Sequence, residues 1–196
     1  MRFLLLLLLS SSALALKPHT AIYTILHTGT GVEVATERRV LSKEDGVYHY
    51  NATARPSGLG ALFASGYKID AKSSFIINKA ALVSVHFQYL ERNDDKVKKD
   101  YDIYPKDQQI DQLGLFLAFT NALERNPNQT DFYFTVHDGK KAEKNHYQQV
   151  SNKDKNLIKI IDSKYMEAYF AKDKYYLPVL VKLKNIIYEL TSVQFQ

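Results

Sequence analysis

"LVSVHFQYLE", Leu82 to Glu91, decides the fold class. Val83, Val85, Phe87 and Tyr89 alternate with Ser84, His86 and Gln88. A period of two puts one set on a dry face and the other on a wet one, so this is a half-buried strand. Tyr67 to Ile77 precedes it with the same strand character, and Asn78-Lys79-Ala80 supplies the turn. The pair reads as a hairpin.

The pattern repeats outward in both directions. Thr20 to Thr28 and Val32 to Leu41 flank Gly29-Thr30-Gly31, and Val47 to Ala54 ends at Arg55-Pro56-Ser57-Gly58. Val97 to Tyr104, Phe132 to His137, Ala142 to Val150, Leu157 to Asp162, Tyr165 to Ala171, Val179 to Lys184 and Ile187 to Phe195 continue the set. In "YFAKDKYYLPVLVKLK", Tyr169 to Lys184, Pro178 cannot donate to a ladder and so belongs at a strand start. Val179, Val181 and Leu183 then share one face, with Lys182 and Lys184 opposite. "IDQLGLFLAFTNALERNP" is different: it is apolar on nearly every side of a helix from Leu113 through Leu123. Asp111 is placed to cap its start and Asn126-Pro127 to stop it. Gly114, read as inside that helix, costs about 1 kcal/mol against alanine.

The expected fold is therefore mainly β. It is a single strongly curved antiparallel sheet, or partly open barrel, of about 10–12 strands with one principal helix against it. No internal repeat or long linker divides residues 16–196, which read as one β-rich domain. Residues 1–15, MRFLLLLLLSSSALA, read as a secretory signal peptide: Arg2 is the positive region, Phe3 to Leu9 the apolar one, and Ala13-Leu14-Ala15 the cleavage pattern. The chain has no cysteine, hence no disulfide and no lipidation cysteine. The expected location is the bacterial periplasm, without a lipid anchor and without a membrane-spanning segment.

Function is less legible. The formal charge is +5, but Lys96, Lys98 and Lys99 sit beside Asp94, Asp95, Asp100 and Asp102, a solvated edge and not a nucleic-acid footprint. Six histidines are never two within metal-ligand spacing. "FASGY" around Ser65 has Phe63 where a nucleophile elbow needs glycine. No cofactor motif and no catalytic constellation appears, so a non-enzymatic protein is expected. The strands carry too many lysines, and no consistent apolar outer face, for an outer-membrane barrel. Fourteen tyrosines and ten phenylalanines suit either a pocket for an amphiphile or a covered sheet face.

Four stretches together resemble a known family. They are GLGALFASGYKIDAKSSFII (Gly58 to Ile77), QQIDQLGLFLAF (Gln108 to Phe119), FTVHDGKKAEKNHYQQV (Phe134 to Val150) and YFAKDKYYLPVLVKL (Tyr169 to Leu183). In order and spacing they are similar to the bacterial exported domain-of-unknown-function family numbered 3108. In the last stretch Ala171, Asp173, Tyr176, Leu177, Pro178 and Val179 match, while Tyr169 stands where the family has Trp. The family's Gly and Pro near the middle hairpin are missing, with Ala80 and Ser84 nearby. The family has no activity to carry over, and so no functional residues. The resemblance implies a curved sheet with a helix against it, like the half-barrels of periplasmic lipoprotein carriers, whose concave face holds acyl chains. The expectation that follows is a hydrophobic or amphiphilic envelope ligand between sheet and helix, with Val85, Phe87, Phe116, Phe119, Leu123 and Val181 lining the interior. The alternative is a non-enzymatic structural or interaction protein docking an envelope partner through a sheet edge or the Lys96 to Asp102 face.

Overall fold

The computed structural model describes residues 16–106 and 108–196. The signal-peptide reading falls on residues 1–15, outside the described residues. The elements run β1 (His19–His27), β2 (Glu33–Glu44), β3 (Val47–Pro56), α1 (Gly60–Phe63), β4 (Tyr67–Asn78), β5 (Ala81–Asn93), β6 (Lys96–Ile103), β7 (Gln109–Asp111) and α2 (Leu115–Arg125). Then follow β8 (Asp131–His137), β9 (Ala142–Val150), β10 (Leu157–Asp162), β11 (Glu167–Ala171), β12 (Leu177–Lys182) and β13 (Ile186–Phe195).

All the strands form one 13-stranded sheet in the order β6-β5-β4-β3-β2-β1-β13-β12-β11-β10-β9-β8-β7. It is two meanders joined where the first strand pairs with the last. His19 faces Phe195 and His27 faces Ile186. Every ladder is antiparallel except β7–β8. This places β6 and β7, neighbours in the chain, at opposite edges of the sheet. Laid flat, thirteen strands would span about 58 Å at about 4.8 Å each. The link from Ile103 to Gln109 reaches about 20 Å when fully extended. The sheet must therefore curl until its edges approach each other.

The edges meet through side chains, not through a ladder. Asp111 on β7 is fully buried. Its Oδ2 accepts from Ser73 and Ser84, both at 2.6 Å, and its N–H donates to the Ser84 hydroxyl at 2.9 Å. On the other side of the seam, Gly139 (φ +99°) lies against the Tyr101 ring so closely that a Cβ would overlap it.

This seam explains a departure from the sequence pattern. The β4–β5 register shifts between Ser74, which faces His86, and Phe75, which faces Ser84. Val85 is the extra residue of a β-bulge, and the inward face of β5 changes phase there. Leu82 and Ser84 point in before the bulge, and Phe87, Tyr89 and Glu91 after it. Val85, expected to face inward, is 44% exposed. The bulge is what turns the Ser84 hydroxyl toward Asp111. A second bulge on β12 falls at Val179, since Tyr169 faces Leu180 while Phe170 faces Pro178. Val179 is half-buried and Val181 buried. Pro178 lies beyond the β13 ladder, and its carbonyl accepts from the Tyr23 hydroxyl at 3.0 Å.

Helix α2 fills one end of the curl. Its start differs from the expectation. Gly114 is the N-cap, outside the helix, so the interior-glycine cost does not apply. Asp111 Oδ1 accepts from the Gly114 N–H at 2.8 Å, and Asn126 is the C-cap. Two polar side chains of the buried helix hold left-handed turns in place. Asn121 donates to the Ala80 carbonyl (Ala80 φ 75°) at 2.8 Å, and Thr120 to the Tyr176 carbonyl (Tyr176 φ 54°) at 2.8 Å. Alanine and tyrosine pay a steric cost in that region which glycine would not; the helix bonds offset it.

Candidate functional site

The concave face is packed at one end and open at the other, and the inward residues of β3 say why. Tyr48 and Tyr50 point into the core, followed at period two by Ala52 and Ala54. On β4 the inward Phe75 gives way to Ala71. Phe75 stacks on Tyr48, with ring centroids 5.2 Å apart. Where alanines replace these rings, side-chain volume is missing and a trough opens.

Its inner part is a cavity of about 400 Å³ whose lining includes Ala52, Ala54, Ile69, Ala71, Phe87 and Tyr89 on one wall and Leu113, Leu115 and Phe116 on the other. A second space of about 540 Å³ shares Ile25, Ala54, Ile69 and Tyr188 with the first and runs outward to Leu59, Gly60 and Phe63 of α1. The two form one largely apolar trough of small-molecule size. At its outer end α1 buries none of its residues, and Phe63 is 88% exposed. Gly60 fixes α1 against the start of β2, because a Cβ there would overlap the Val34 carbonyl.

Polar groups sit at two places. Deep on β2, Glu37 and Arg39 are buried side by side and both line the inner cavity. Arg39 Nε donates to Glu37 Oε1 at 2.6 Å, and the guanidinium lies over the rings of Tyr23 and Tyr188 at 4.7 and 5.3 Å. Burial opposes the Arg39 charge, but Glu37, Tyr50 and Tyr23 outweigh it and hold the proton well above the usual range. Tyr188, desolvated beside Glu37, is pushed up to about 12. Toward the rim, Glu91 accepts from Tyr67 at 2.6 Å, Tyr89 at 3.0 Å and Lys99 at 2.7 Å. Burial pushes the Glu91 carboxyl up, and these donors bring it below its ordinary value.

No family model and no curated protein matches the chain. Of the six residues expected to line the interior, Phe87 and Phe116 border the inner cavity. Phe119, Leu123 and Val181 lie in the filled core. Phe119 packs against Phe132, Phe134, Tyr147 and Phe170 with centroids 5.0–5.6 Å apart. Val85 is on the outside, for the bulge reason given above. The alanines of β3 and β4, the Glu37–Arg39 pair and Tyr188 were not expected at the site. The alternation Tyr48, Tyr50, Ala52, Ala54 was the readable signal for the change from filled to open.

The outer face is polar, unlike the trough. His86 and His146 pair with Asp102 at 2.6 Å and Asp131 at 2.8 Å, on exposed ladders. Among the described residues, no group of three or more His, Asp or Glu is placed to hold a metal ion. No described helix is long and apolar enough to cross a membrane. The outward residues of β4 are Lys68, Asp70, Lys72, Ser74, Ile76 and Asn78.

Proposed function

We propose that the chain is an exported, soluble periplasmic protein that binds or carries a hydrophobic or amphiphilic envelope ligand in the trough. The observation that carries this reading is the unfilled apolar volume itself. It lies beside a core that is filled to the last ring around Phe119, so it is not general looseness of the interior. Interiors close-pack where they can, so two adjoining spaces of about 400 and 540 Å³ on one apolar face support a holding site over a packing defect. The resemblance to an exported family and to acyl-holding half-barrels agrees with it.

The rival reading is a structural or interaction protein docking through a sheet edge or through the Lys96 to Asp102 face, and its edge form meets β6. That edge strand carries Lys96, Lys98, Lys99, Asp100 and Asp102. Charges along an edge oppose strand addition by a partner.

The test is mass spectrometry of lipids in the protein purified from the periplasm without detergent, combined with uptake of an apolar fluorescent dye. A stoichiometric co-purified amphiphile is expected. Ala54→Trp, which places an indole where both spaces meet, should cut dye binding at least tenfold while Tm moves by only about 5 °C or less. An empty wild-type protein that takes up no dye would sink the reading.

A further inference from the structure

The charges lining the trough indicate which head group it takes, given that the trough binds an amphiphile at all. The cavity lining includes three formally charged side chains: Glu37, Arg39 and Asp162. Arg39 and Glu37 neutralise each other through the 2.6 Å bond. Only Arg39 Nε is used in that bond, so beyond a bond to the Tyr50 hydroxyl the terminal guanidinium nitrogens keep donors to spare, and the second Glu37 oxygen remains an acceptor. Asp162 Oδ1 accepts from the N–H groups of Lys164, Tyr165 and Met166 at 2.7–2.8 Å, and among the described residues no salt bridge pairs its carboxylate at the cavity wall.

A ligand carboxylate drawn to Arg39 would have to displace or crowd Glu37, and Asp162 adds a second carboxylate to the lining that opposes it. A pure hydrocarbon would leave the Arg39 donors and the Glu37 acceptor dry and unpaired, which also costs free energy. A head group with no net charge, carrying both a donor and an acceptor, satisfies both partners at once. We propose that the trough selects a neutral amphiphile: an apolar chain ending in a hydroxyl-, ester- or amide-bearing head that bonds to the Glu37–Arg39 pair, in preference to an ionised fatty acid of the same chain. The chain would lie along Ala54 and Ile69 toward α1, and the head at Arg39.

The test is displacement of a neutral naphthylamine dye from the wild-type protein by monolauroylglycerol, dodecanol and dodecanoate at about pH 8, where the carboxyl is ionised. Monolauroylglycerol is expected to displace it with at least tenfold higher affinity than dodecanoate, and dodecanol to fall between. Glu37→Gln, nearly isosteric, frees the Arg39 charge. It should raise dodecanoate affinity tenfold or more and leave monolauroylglycerol within about threefold, in protein whose circular dichroism matches the wild type. Dodecanoate binding as tightly as monolauroylglycerol to the wild type would overturn the head-group assignment, and so would a folded Glu37→Gln protein with an unchanged ratio. If the variant does not fold, the wild-type ranking decides alone. If the dye itself does not bind, the binding reading falls and this assignment with it; dye binding with the wrong ranking removes only the assignment.

Discussion

At the scale of single residues, buried polar atoms in this chain are mostly answered, and the exceptions are informative. Asp111 has donors from Ser73, Ser84 and Gly114 around one carboxylate. Glu124, near the C-terminal end of α2, does not: its Oε2 is buried without a hydrogen-bond partner among the described residues. Burial pushes its carboxyl up to about 7, against the pull of Lys17. The sign follows from linkage. Well below the ordinary glutamate value of 4.5, Glu124 is protonated folded or unfolded and contributes no pH-dependent difference. As pH rises from there through 7, the unfolded chain ionises first and the folded state loses stability relative to it. Glu124→Gln should therefore be more stable than the wild type at pH 8, by on the order of 1–2 kcal/mol once partial solvent exposure is discounted, and indistinguishable at pH 4. Urea unfolding at the two pH values measures it; an equal difference at both would show that ionisation is not the cause.

At the scale of elements, α2 has two different jobs along one length. Its middle is a core element: Phe119 touches four aromatic rings and is fully buried. Its first turn, with Leu115 and Phe116, is the wall of a space. The two phenylalanines, three positions apart, should respond differently to truncation. Phe119→Ala should cost about 3–5 kcal/mol, as a cavity in a close-packed core does, and Phe116→Ala about 1 kcal/mol or less, since it enlarges a space already there. Chemical denaturation of both variants checks it, and equal large losses would mean that the inner cavity is not open in solution. The helix, its Asn126 stop and most strands were legible from periodicity. The three-residue β7 was not, being too short to show a period, and neither was the phase of β5, because one bulged residue at Val85 reverses every inward assignment on one side of it.

At the scale of the whole molecule, the seam decides the shape. The two sheet edges are held together by the Asp111 cluster and by the approach of the β8–β9 turn to Tyr101, without ladder bonds. Gly139→Val tests that closure. It puts a side chain into the Tyr101 ring at a φ of +99°, where only glycine is unstrained. The expected loss is about 2–3 kcal/mol, with faster amide exchange on β6 and β8 than on the central β1 and β13. Uniform exchange across the sheet would mean that the seam does not act as a separate unit.

The sequence by itself determined that this protein is a β-rich meander with one buried helix, because strand and helix periods are written by residues a few positions apart. Chain length between β6 and β7 even required the curl, once their places at opposite edges were known. Those places, the bulge phases and the trough were decided only by the tertiary structure. Which way Ser84 or Val85 points depends on pairing with β4 and on Asp111, 27 positions beyond Ser84. That Glu37 and Arg39 share the inward face with Ala35 and Leu41 depends on which side of β2 the curl encloses. Local pattern fixes the period of a strand; only contacts distant in the chain fix its face, its register and the volume left unfilled above it.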